Sequence, residues 1–173
     1  DPDLLDTNCD AVDGDKAQAI WVAGSGDDVT GNGDIDNPYR SLQKGVDEAV
    51  LAGKDLYVAQ GNYPLAVSVN MKGVRMYGGF GNYNGTNRPR NPETYPSLVT
   101  GSGFLGNIGF TDSMTGHEGK ISGFRFTEKG AVVVIKGAPT IEGNTIDIPA
   151  TSTSTNYGIV IYNLTPASSD TVI

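Results

Sequence analysis

The sequence predicts an all-β chain wound into a solenoid, and three observations lead to this prediction. Apolar runs of four to five residues alternate with turn residues, as at Leu56–Ala59 and Val74–Tyr77. Short runs with β-branched and aromatic members, bounded by Gly, Asn and Pro, are typical of strands. The chain also has 24 Gly and 9 Pro among its 173 residues, which fits many tight turns. The third observation is a repeat.

The repeat is clearest in the second half of the chain. Ile121–Phe126 (ISGFRF) aligns with Ile141–Ile146 (IEGNTI) at a spacing of 20 residues. Apolar runs follow both copies, at Ala131–Lys136 and Gly158–Tyr162, and Thr171–Ile173 has the pattern that opens another copy. A period near 20 residues with two or three short strands indicates a solenoid, whose turns bury a shared core by stacking.

The first 18 residues form an acidic leader. Its oxygen-bearing side chains recur at every second position and then around a glycine: Asp6, Asn8, Asp10, Asp13 and Asp15. Such spacing suits a hard cation, so these five residues are candidate ligands of Ca²⁺. The leader resembles the calcium loops of thrombospondin type 3 and dockerin repeats, but it lacks the bidentate Glu of an EF-hand. The alternative, a solvated acidic segment without metal, remains open.

The charge distribution excludes several classes of partner. Residues 1–36 carry a net charge of −9, whereas the rest of the chain carries +1. A chain with no basic stripe argues against binding to nucleic acid or to anionic membrane surfaces. The sequence has no run of 18 apolar residues, so no membrane-spanning helix is predicted. Cys9 is the one cysteine, so it forms no disulfide within this sequence, and we expect a half-buried side chain there; pairing with a cysteine outside this sequence is the alternative.

One helix is predicted after a first strand at Ala19–Ala23 and a polar loop. It covers residues 41–52, with one apolar face formed by Leu42, Val46, Ala49 and Val50. Ser41 is suited to be its N-cap, and Gly53 follows its last turn. Gly45 lowers the stability of this helix by about 1 kcal/mol relative to alanine.

The stretch between the helix and residue 100 is predicted to hold strands and one long loop. Strands are expected at Leu56–Ala59, Leu65–Val69, Val74–Tyr77 and Ser97–Thr100. The loop covers residues 81–96, whose prolines, asparagines and glycines disfavour regular structure. A further short strand is expected within Phe104–Phe110.

Taken together, these segments resemble the N-terminal part of bacterial right-handed parallel β-helix proteins of the pectin-lyase-like superfamily. The match covers about residues 19–165 and rests on Ile20–Ala23, Gly26–Asp28, Asn37–Gln43, Gly45–Ala49, Leu56–Tyr63 and Tyr77–Phe80. In this order they follow the family's strand, G-x-D loop, N-P-Y-x-S-L-Q motif, helix and L-Y-V-A-x-G-x-Y strand. The leader segment Asn8–Gly14 (NCDAVDG) is similar to that of secreted or surface members from Gram-negative bacteria.

The resemblance implies an all-β, right-handed parallel β-helix whose amphipathic helix caps the open N-terminal end. A bare end would expose edge backbone and invite aggregation, which a helix laid over it prevents. The resemblance also implies a location outside the bacterial cell, secreted, at the cell surface or associated with the outer membrane. Asn144 resembles the inward turn asparagines of such coils, which hydrogen-bond along the stack; an ordinary turn residue is the alternative.

Catalytic residues are sparse in this sequence. Glycoside hydrolysis needs two carboxylates across the scissile bond, and the lyase chemistry of the superfamily needs an Arg base. The weak candidates are Arg125, Glu128 and Asp147, of which the two acids are 19 residues apart, close to the repeat. An outward-facing strand residue is the simpler interpretation of Arg125. His117, the one histidine, has no partners for a zinc site or a catalytic triad.

These observations favour a non-catalytic β-helix scaffold, adhesion or ligand-binding module, stabilised by Ca²⁺. The expected partners are a glycan or another cell-surface ligand. The first alternative is a fragment of a polysaccharide lyase or glycoside hydrolase. The second is a self-assembling structural unit, whose partners are other copies of the chain.

Overall fold

The structure, a computed structural model, describes residue 9 and residues 12–82, 88–101, 108–110, 119–127, 132–134, 139–147 and 159–161. This part of the chain is mostly β, with parallel sheets and few helices. A short 3-10 helix, Lys16–Gln18, precedes the strands, and α1 is Leu42–Ala52. The strands are β1 (Ala19–Val22), β2 (Asp55–Ala59), β3 (Gly61–Leu65), β4 (Val69–Asn70), β5 (Arg75–Phe80), β6 (Ser97–Gly101), β7 (Ile108–Phe110), β8 (Lys120–Ser122), β9 (Phe124–Thr127), β10 (Val132–Val134), β11 (Thr140–Glu142), β12 (Thr145–Asp147) and β13 (Ile159–Ile161).

The strands form three sheets in which every pair is parallel. The first sheet has the order β1-β2-β5-β8-β11, the second β3-β6-β9-β12 and the third β4-β7-β10-β13. From β2 onwards, successive strands therefore pass from the first sheet to the second, to the third and back to the first. The 20-residue repeat corresponds to this pairing, because Ile121 lies opposite Ile141 and Phe126 lies opposite Ile146.

The main hydrophobic core takes side chains from all three sheets. Leu56 and Met76 come from the first sheet, Val99 and Phe126 from the second, and Ile108 from the third, and all five are fully buried. Since side chains along a strand alternate between its two faces, the neighbours of each core residue in its own strand point away from this core. This alternation gives the first sheet a second buried face.

The second face of the first sheet carries what we call the outer aromatic cluster: Val12, Ala19, Trp21, Ile35, Tyr57, Tyr77 and Phe80. Trp21 lies opposite Tyr57, which lies opposite Tyr77, so three aromatic side chains stand in register on neighbouring strands. Val12 belongs to the acidic leader. The leader is therefore packed on the sheet where its last residues are described.

Helix α1 and its caps agree with the sequence prediction. The Ser41 hydroxyl accepts a hydrogen bond from the Lys44 amide at 3.3 Å, and Gly53 adopts a left-handed conformation with φ 64°. The helix packs against β1, β2 and β4, of which β1 and β4 are the outermost strands of their sheets. Gly45 has a packing role, because a Cβ there would collide with Val22 and Leu56. Among the described residues, no helix has the length and apolar character needed to cross a membrane.

One strand prediction is wrong. The run Leu65–Val69 is not a strand: β3 ends at Leu65, and β4 begins at Val69. Strand β3 instead covers Gly61–Leu65, and it includes Pro64. Proline donates no hydrogen bond to a neighbouring strand, and it is tolerated here because β3 is the outermost strand of its sheet. The predicted opening of another repeat at Thr171–Ile173 lies outside the described residues.

A bulge in β5 prepares the sheet for the long loop. Tyr57 lies opposite Tyr77, but Ala59 lies opposite Phe80, so β5 has one extra residue within Gly78–Gly79. Gly79 has φ 90°, and a Cβ on it would collide with Pro92. Gly79 therefore allows the loop around residues 88–96 to lie directly on the sheet, whereas Gly78 makes room for Gly123 and Phe124.

Candidate functional site

Two of the three weak catalytic candidates lie side by side on the outer face of the second sheet. Phe124 and Phe126 of β9 are buried, so Arg125 between them points outward, as the sequence analysis expected. Its Nη2 lies 3.3 Å from Oδ2 of Asp147 on β12. The third candidate, Glu128, lies outside the described residues, as does His117.

The Arg125–Asp147 pair is exposed and of opposite charge. The side chains are 50 % and 61 % exposed, so solvent screens their attraction, and such pairs contribute about 0–1 kcal/mol to stability. Catalytic carboxylates and bases are usually activated by burial or by a neighbouring like charge. This pair has neither feature. Its geometry is that of a surface ion pair between neighbouring strands.

A shallow groove of about 280 Å³ lies beside Arg125. Strand β9 and the turn between β11 and β12 form one side, and the long loop forms the other. The lining residues are Pro92, Glu93, Pro96, Phe124, Arg125, Gly143, Asn144 and Thr145. Its volume is just under the range of about 300–1,000 Å³ typical of small-molecule sites. Arg125 and Glu93 give it charges of both signs.

Asn144 connects two repeats through its side-chain amide. Its Oδ1 accepts a hydrogen bond from the Phe124 amide at 3.0 Å, and its Nδ2 donates to the Ile121 carbonyl at 2.9 Å. The expected hydrogen bonding along the stack is thus present. The left-handed conformation belongs to the preceding residue, Gly143, with φ 59°, and to Gly123 in the earlier repeat.

The acidic leader is described only in part. Of the five candidate Ca²⁺ ligands, Asp6, Asn8 and Asp10 lie outside the described residues. Asp13 is buried, with its Oδ2 4.0 Å from Nη1 of Arg90. Asp15 is exposed, and its Oδ1 accepts a hydrogen bond from the Ala17 amide at the start of the 3-10 helix. No metal-binding group of three such side chains occurs within the part of the chain that the structure describes, which leaves the calcium prediction untested.

The expectation of a half-buried Cys9 is wrong. Its side chain is exposed, and the residue has φ 57°. The next described residue, Val12, is buried. Of these two described residues of the leader, Cys9 is thus exposed and Val12 is buried. The apolar character of a side chain alone does not predict which of the two is buried.

The sequence analysis missed two arginines of the long loop: Arg88, which is buried, and Arg90, whose side chain is 5 % exposed. Arg90 donates from Nε to the Gly78 carbonyl at 2.9 Å and from Nη2 to the Ser122 hydroxyl at 3.1 Å. Its guanidinium lies 5.6 Å from the ring centre of Tyr77. Burial lowers the pKa of Arg90, an effect that the charge of Asp13 opposes. Arg90 therefore lies on the first sheet beside Tyr77, where the row of aromatic side chains of the outer aromatic cluster ends.

Arg88 covers the other end of the same cluster. Its guanidinium lies 4.7 Å from the ring centre of Trp21, and its backbone forms a parallel bridge with Val12. Below it, Trp21 packs edge-on against Tyr57 at 5.2 Å, and Tyr57 stacks on Phe80 at 4.7 Å. Two features of the sequence could have indicated that these arginines cover the cluster. One is the aromatic residues at alternate strand positions, and the other is the acidic leader in a chain whose remainder is slightly basic.

Burial also changes the acid–base behaviour of the tyrosines in this region. It raises the pKa of Tyr57 and of Tyr77 to about 12. It raises the pKa of Tyr63 as well, and the Tyr63 hydroxyl donates to the Ala59 carbonyl at 2.8 Å. These phenols are neutral at physiological pH and act as packing groups; the Tyr57 and Tyr63 hydroxyls form hydrogen bonds, whereas the Tyr77 hydroxyl is buried without a partner within the described part of the chain.

Comparisons of this chain with models of protein families, with curated proteins and with solved structures found no match. Function is therefore inferred from the sheets, the exposed ion pair, the groove and the covered aromatic face.

Proposed function

We propose that the chain is the N-terminal part of a right-handed parallel β-helix of the pectin-lyase-like type, and that it serves as a non-catalytic scaffold, adhesion or ligand-binding module outside a bacterial cell. The observation that carries the fold part is the strand order. Successive strands pass through three parallel sheets in rotation. Crossovers between parallel strands of one sheet are right-handed in about 98 % of cases, which supports the handedness.

The position of α1 supports its role as a cap. Its buried residues Leu42, Val46 and Ala49 join the main core, and its neighbours β1 and β4 are outermost strands. Such strands carry backbone groups that can pair with another chain. A helix over them protects the scaffold from edge-to-edge association.

The exposed Arg125–Asp147 pair supports a non-catalytic role. Its opposite charges satisfy each other in solvent. Arg75 forms a second ion pair on the first sheet, with Asp55, where Nε and Oδ1 are 2.7 Å apart. The Arg75 side chain is 53 % exposed, close to the 50 % of Arg125. Arg75 is therefore a matched control for Arg125.

The experiment is an assay for turnover of pectins, alginate and other acidic glycans, with and without Ca²⁺. We expect no product from the unmodified chain. Turnover that Arg125→Ala and Asp147→Ala abolish, and that Arg75→Ala leaves intact, would overturn the non-catalytic proposal. It would establish the first alternative, a fragment of a polysaccharide lyase or hydrolase. That alternative is favoured by one observation, the meeting of Arg125 and Asp147 beside the groove.

The ligand-binding form of the proposal uses the groove between β9 and the long loop. Proline and phenylalanine side chains offer apolar contact there, and Arg125 and Glu93 offer polar contact. Such a mixture suits a saccharide, which presents both apolar faces and hydroxyl groups. Binding measured on a glycan panel should weaken with Arg125→Ala and not with Arg75→Ala.

A second candidate function is self-assembly through the strands opposite α1. Among the strands that the structure describes, β11, β12 and β13 are the outermost of the three sheets at that end. Ile141 and Ile146 are only partly buried, and Ile159 is 46 % exposed. Other copies of the chain could cover this apolar row. Sedimentation velocity over a wide concentration range tests it: association is expected, and a strict monomer at high concentration contradicts it.

We also propose that Ca²⁺ binds the leader through Asp6, Asn8, Asp10, Asp13 and Asp15. The support is the spacing of these oxygen ligands. Asp13 can join such a site only by sharing its carboxylate with Arg90 or by leaving it. The expected effect of the ion is therefore a change at the covered aromatic face as well as in the leader.

A further inference from the structure

The last described part of the leader, residues 12–18, crosses the outer aromatic cluster of the first sheet. We call these residues the strap. We propose that the strap is a separable closing device: it opens as a unit while the three sheets stay folded, and the Asp13–Arg90 ion pair is the latch that holds it closed.

The sheet beneath the strap needs a cover over only part of its width. Trp21, Tyr57 and Tyr77 stand in register on β1, β2 and β5. The next positions in the same register are Ser122 on β8 and Glu142 on β11, which are polar. The apolar part of this face thus spans three strands, and the strap and the long loop lie over it.

The latch joins the strap to the sheet side of the molecule. Arg90 belongs to the sheet side, because its guanidinium donates to the Gly78 carbonyl and the Ser122 hydroxyl. Asp13 belongs to the strap. Both side chains are only 5 % exposed. A buried pair that loses one member leaves the other charge buried without compensation, which is strongly unfavourable. The closed position therefore depends on this pair.

The rest of the strap is suited to opening. No described residue of the strap is a member of any of the three sheets, and its 3-10 helix buries none of its residues. Its contacts with the rest of the chain include three hydrogen bonds: the Asp15 amide donates to the Tyr57 hydroxyl at 3.3 Å, Trp21 Nε1 donates to the Lys16 carbonyl at 3.4 Å, and Lys54 Nζ donates to the Ala17 carbonyl at 2.8 Å. The first two are long and therefore weak, and the third is exposed to solvent. Segments held in this way open below the free energy of global unfolding.

Trp21 reports the position of the strap. It is the one tryptophan of the chain, it is fully buried, and its indole nitrogen bonds to the strap itself. Opening of the strap should therefore let acrylamide reach Trp21 and quench its fluorescence. Unfolding of the sheets is followed separately, by circular dichroism of the strands.

The first experiment compares Asp13→Asn with Asp15→Asn in buffer containing a chelator. Both variants remove one negative charge from the strap, but Asp15 is exposed and lies outside the latch. We expect the quenching constant to rise several-fold in Asp13→Asn, to stay near the wild-type value in Asp15→Asn, and the strand signal to persist in both. Equal quenching in the two variants, or loss of the strand signal together with Trp21 burial in Asp13→Asn, would overturn the proposal.

The second experiment needs no variant, so it decides the matter even if Asp13→Asn fails to fold. Hydrogen exchange of the unmodified chain is followed under native conditions. Amides of residues 12–18 should exchange at least tenfold faster than those of β1 and β2. Exchange of the strap at the rate of β2 would show that the two open only together and would refute a separable strap.

Discussion

Strands β2 and β11 belong to the same sheet and pair in the same parallel way, but they are buried to very different extents. Four of the five residues of β2 are buried, whereas both ends of β11 are exposed and Ile141 at its centre is half-buried. Beside β2 lie α1 on one side and the outer aromatic cluster on the other. Among the described residues, β2 pairs on both sides and β11 on one, and the burial of each strand depends as well on the added segments that cover the sheet.

This difference indicates where stability resides. Near β1 and β2, the sheet has two buried faces, and all four residues of β1 and three of the five of β2 contribute to one of two clusters. Near β11, the described residues give the sheet one partly covered face. A parallel sheet usually needs cover on both faces, and the helix, the strap and the long loop supply it at one end.

The largest difference between β2 and β11 should appear when inward side chains at equivalent positions of the two strands are truncated. Leu56→Ala should lower the free energy of unfolding by about 3 kcal/mol, because it opens a cavity in a fully buried site. Ile141→Ala removes a side chain of the same size from the same sheet, and its partial exposure limits the loss to about 1 kcal/mol. Denaturant unfolding followed by circular dichroism measures both. Equal losses would remove the contrast between the two ends.

Calcium should increase the difference in stability between the two ends of the first sheet, since all its predicted ligands belong to the leader. Ca²⁺ at about 100 times its dissociation constant should stabilise the fold by about 2.7 kcal/mol, because it binds the folded chain and not the unfolded one. Thermal unfolding with added Ca²⁺ and with chelator gives the measurement. Mg²⁺ at the same ionic strength is the control. An identical melting temperature in Ca²⁺ and in chelator would end the calcium proposal.

The contribution of stacking between repeats is tested at Asn144. Asn144→Ala should cost about 1–2 kcal/mol, because the Phe124 amide and the Ile121 carbonyl lose their side-chain partner. Asn144→Asp keeps the acceptor for Phe124 and loses the donor to Ile121, so a smaller loss is expected. Chemical unfolding ranks the two variants. If alanine and aspartate are both neutral, the side chain contributes nothing to the junction of the repeats.

The smallest effect is expected from a half-buried carboxylate in the covered region. Burial raises the pKa of Asp55, although Arg75 beside it acts in the opposite direction. The folded chain therefore holds this proton more tightly than the unfolded chain does. The stability contributed by Asp55 is present below its ordinary pKa and is lost as pH rises through the raised value.

Asp55→Asn removes this dependence. The variant should be equal to the unmodified chain in acid and slightly more stable at neutral pH, by less than about 1 kcal/mol. The comparison of unfolding free energies at pH 3 and pH 7 tests the sign. Lower stability of the variant at pH 7 would mean that the ion pair with Arg75 outweighs the cost of burial.

Elements set by local signals could be predicted from the sequence, whereas contacts between distant segments could not. Helix α1 was predictable because Ser41 and Gly53 mark its ends and its apolar spacing marks its face. The strand expected at Leu65–Val69 was misplaced, and β3 includes Pro64 because proline is tolerated in an outermost strand, a position that only the sheet order gives. Arg88 and Arg90 could not be placed, since their partners Trp21 and Tyr77 lie far away in the chain.

The candidate site shows the same limit. The sequence analysis noted that Glu128 and Asp147 are 19 residues apart, close to the repeat; the register spacing of β9 and β12 is 20, with Thr127 opposite Asp147, and Glu128 lies outside the described residues, so their approach stays a prediction. Arg125 and Asp147, which are two register positions apart, reach each other diagonally through the length of the arginine. Side-chain length and register together decide such a contact, and spacing alone does not.

The in-register pairing of Ile121 with Ile141 has a consequence for how such a chain can change in length. A segment of 20 residues supplies one strand to each of three neighbouring sheets, so its duplication or loss leaves every other pairing in register. Each such event would alter the stack by one strand spacing, about 4.8 Å. Gain or loss of such a segment would therefore change the width of the three sheets in steps of one strand.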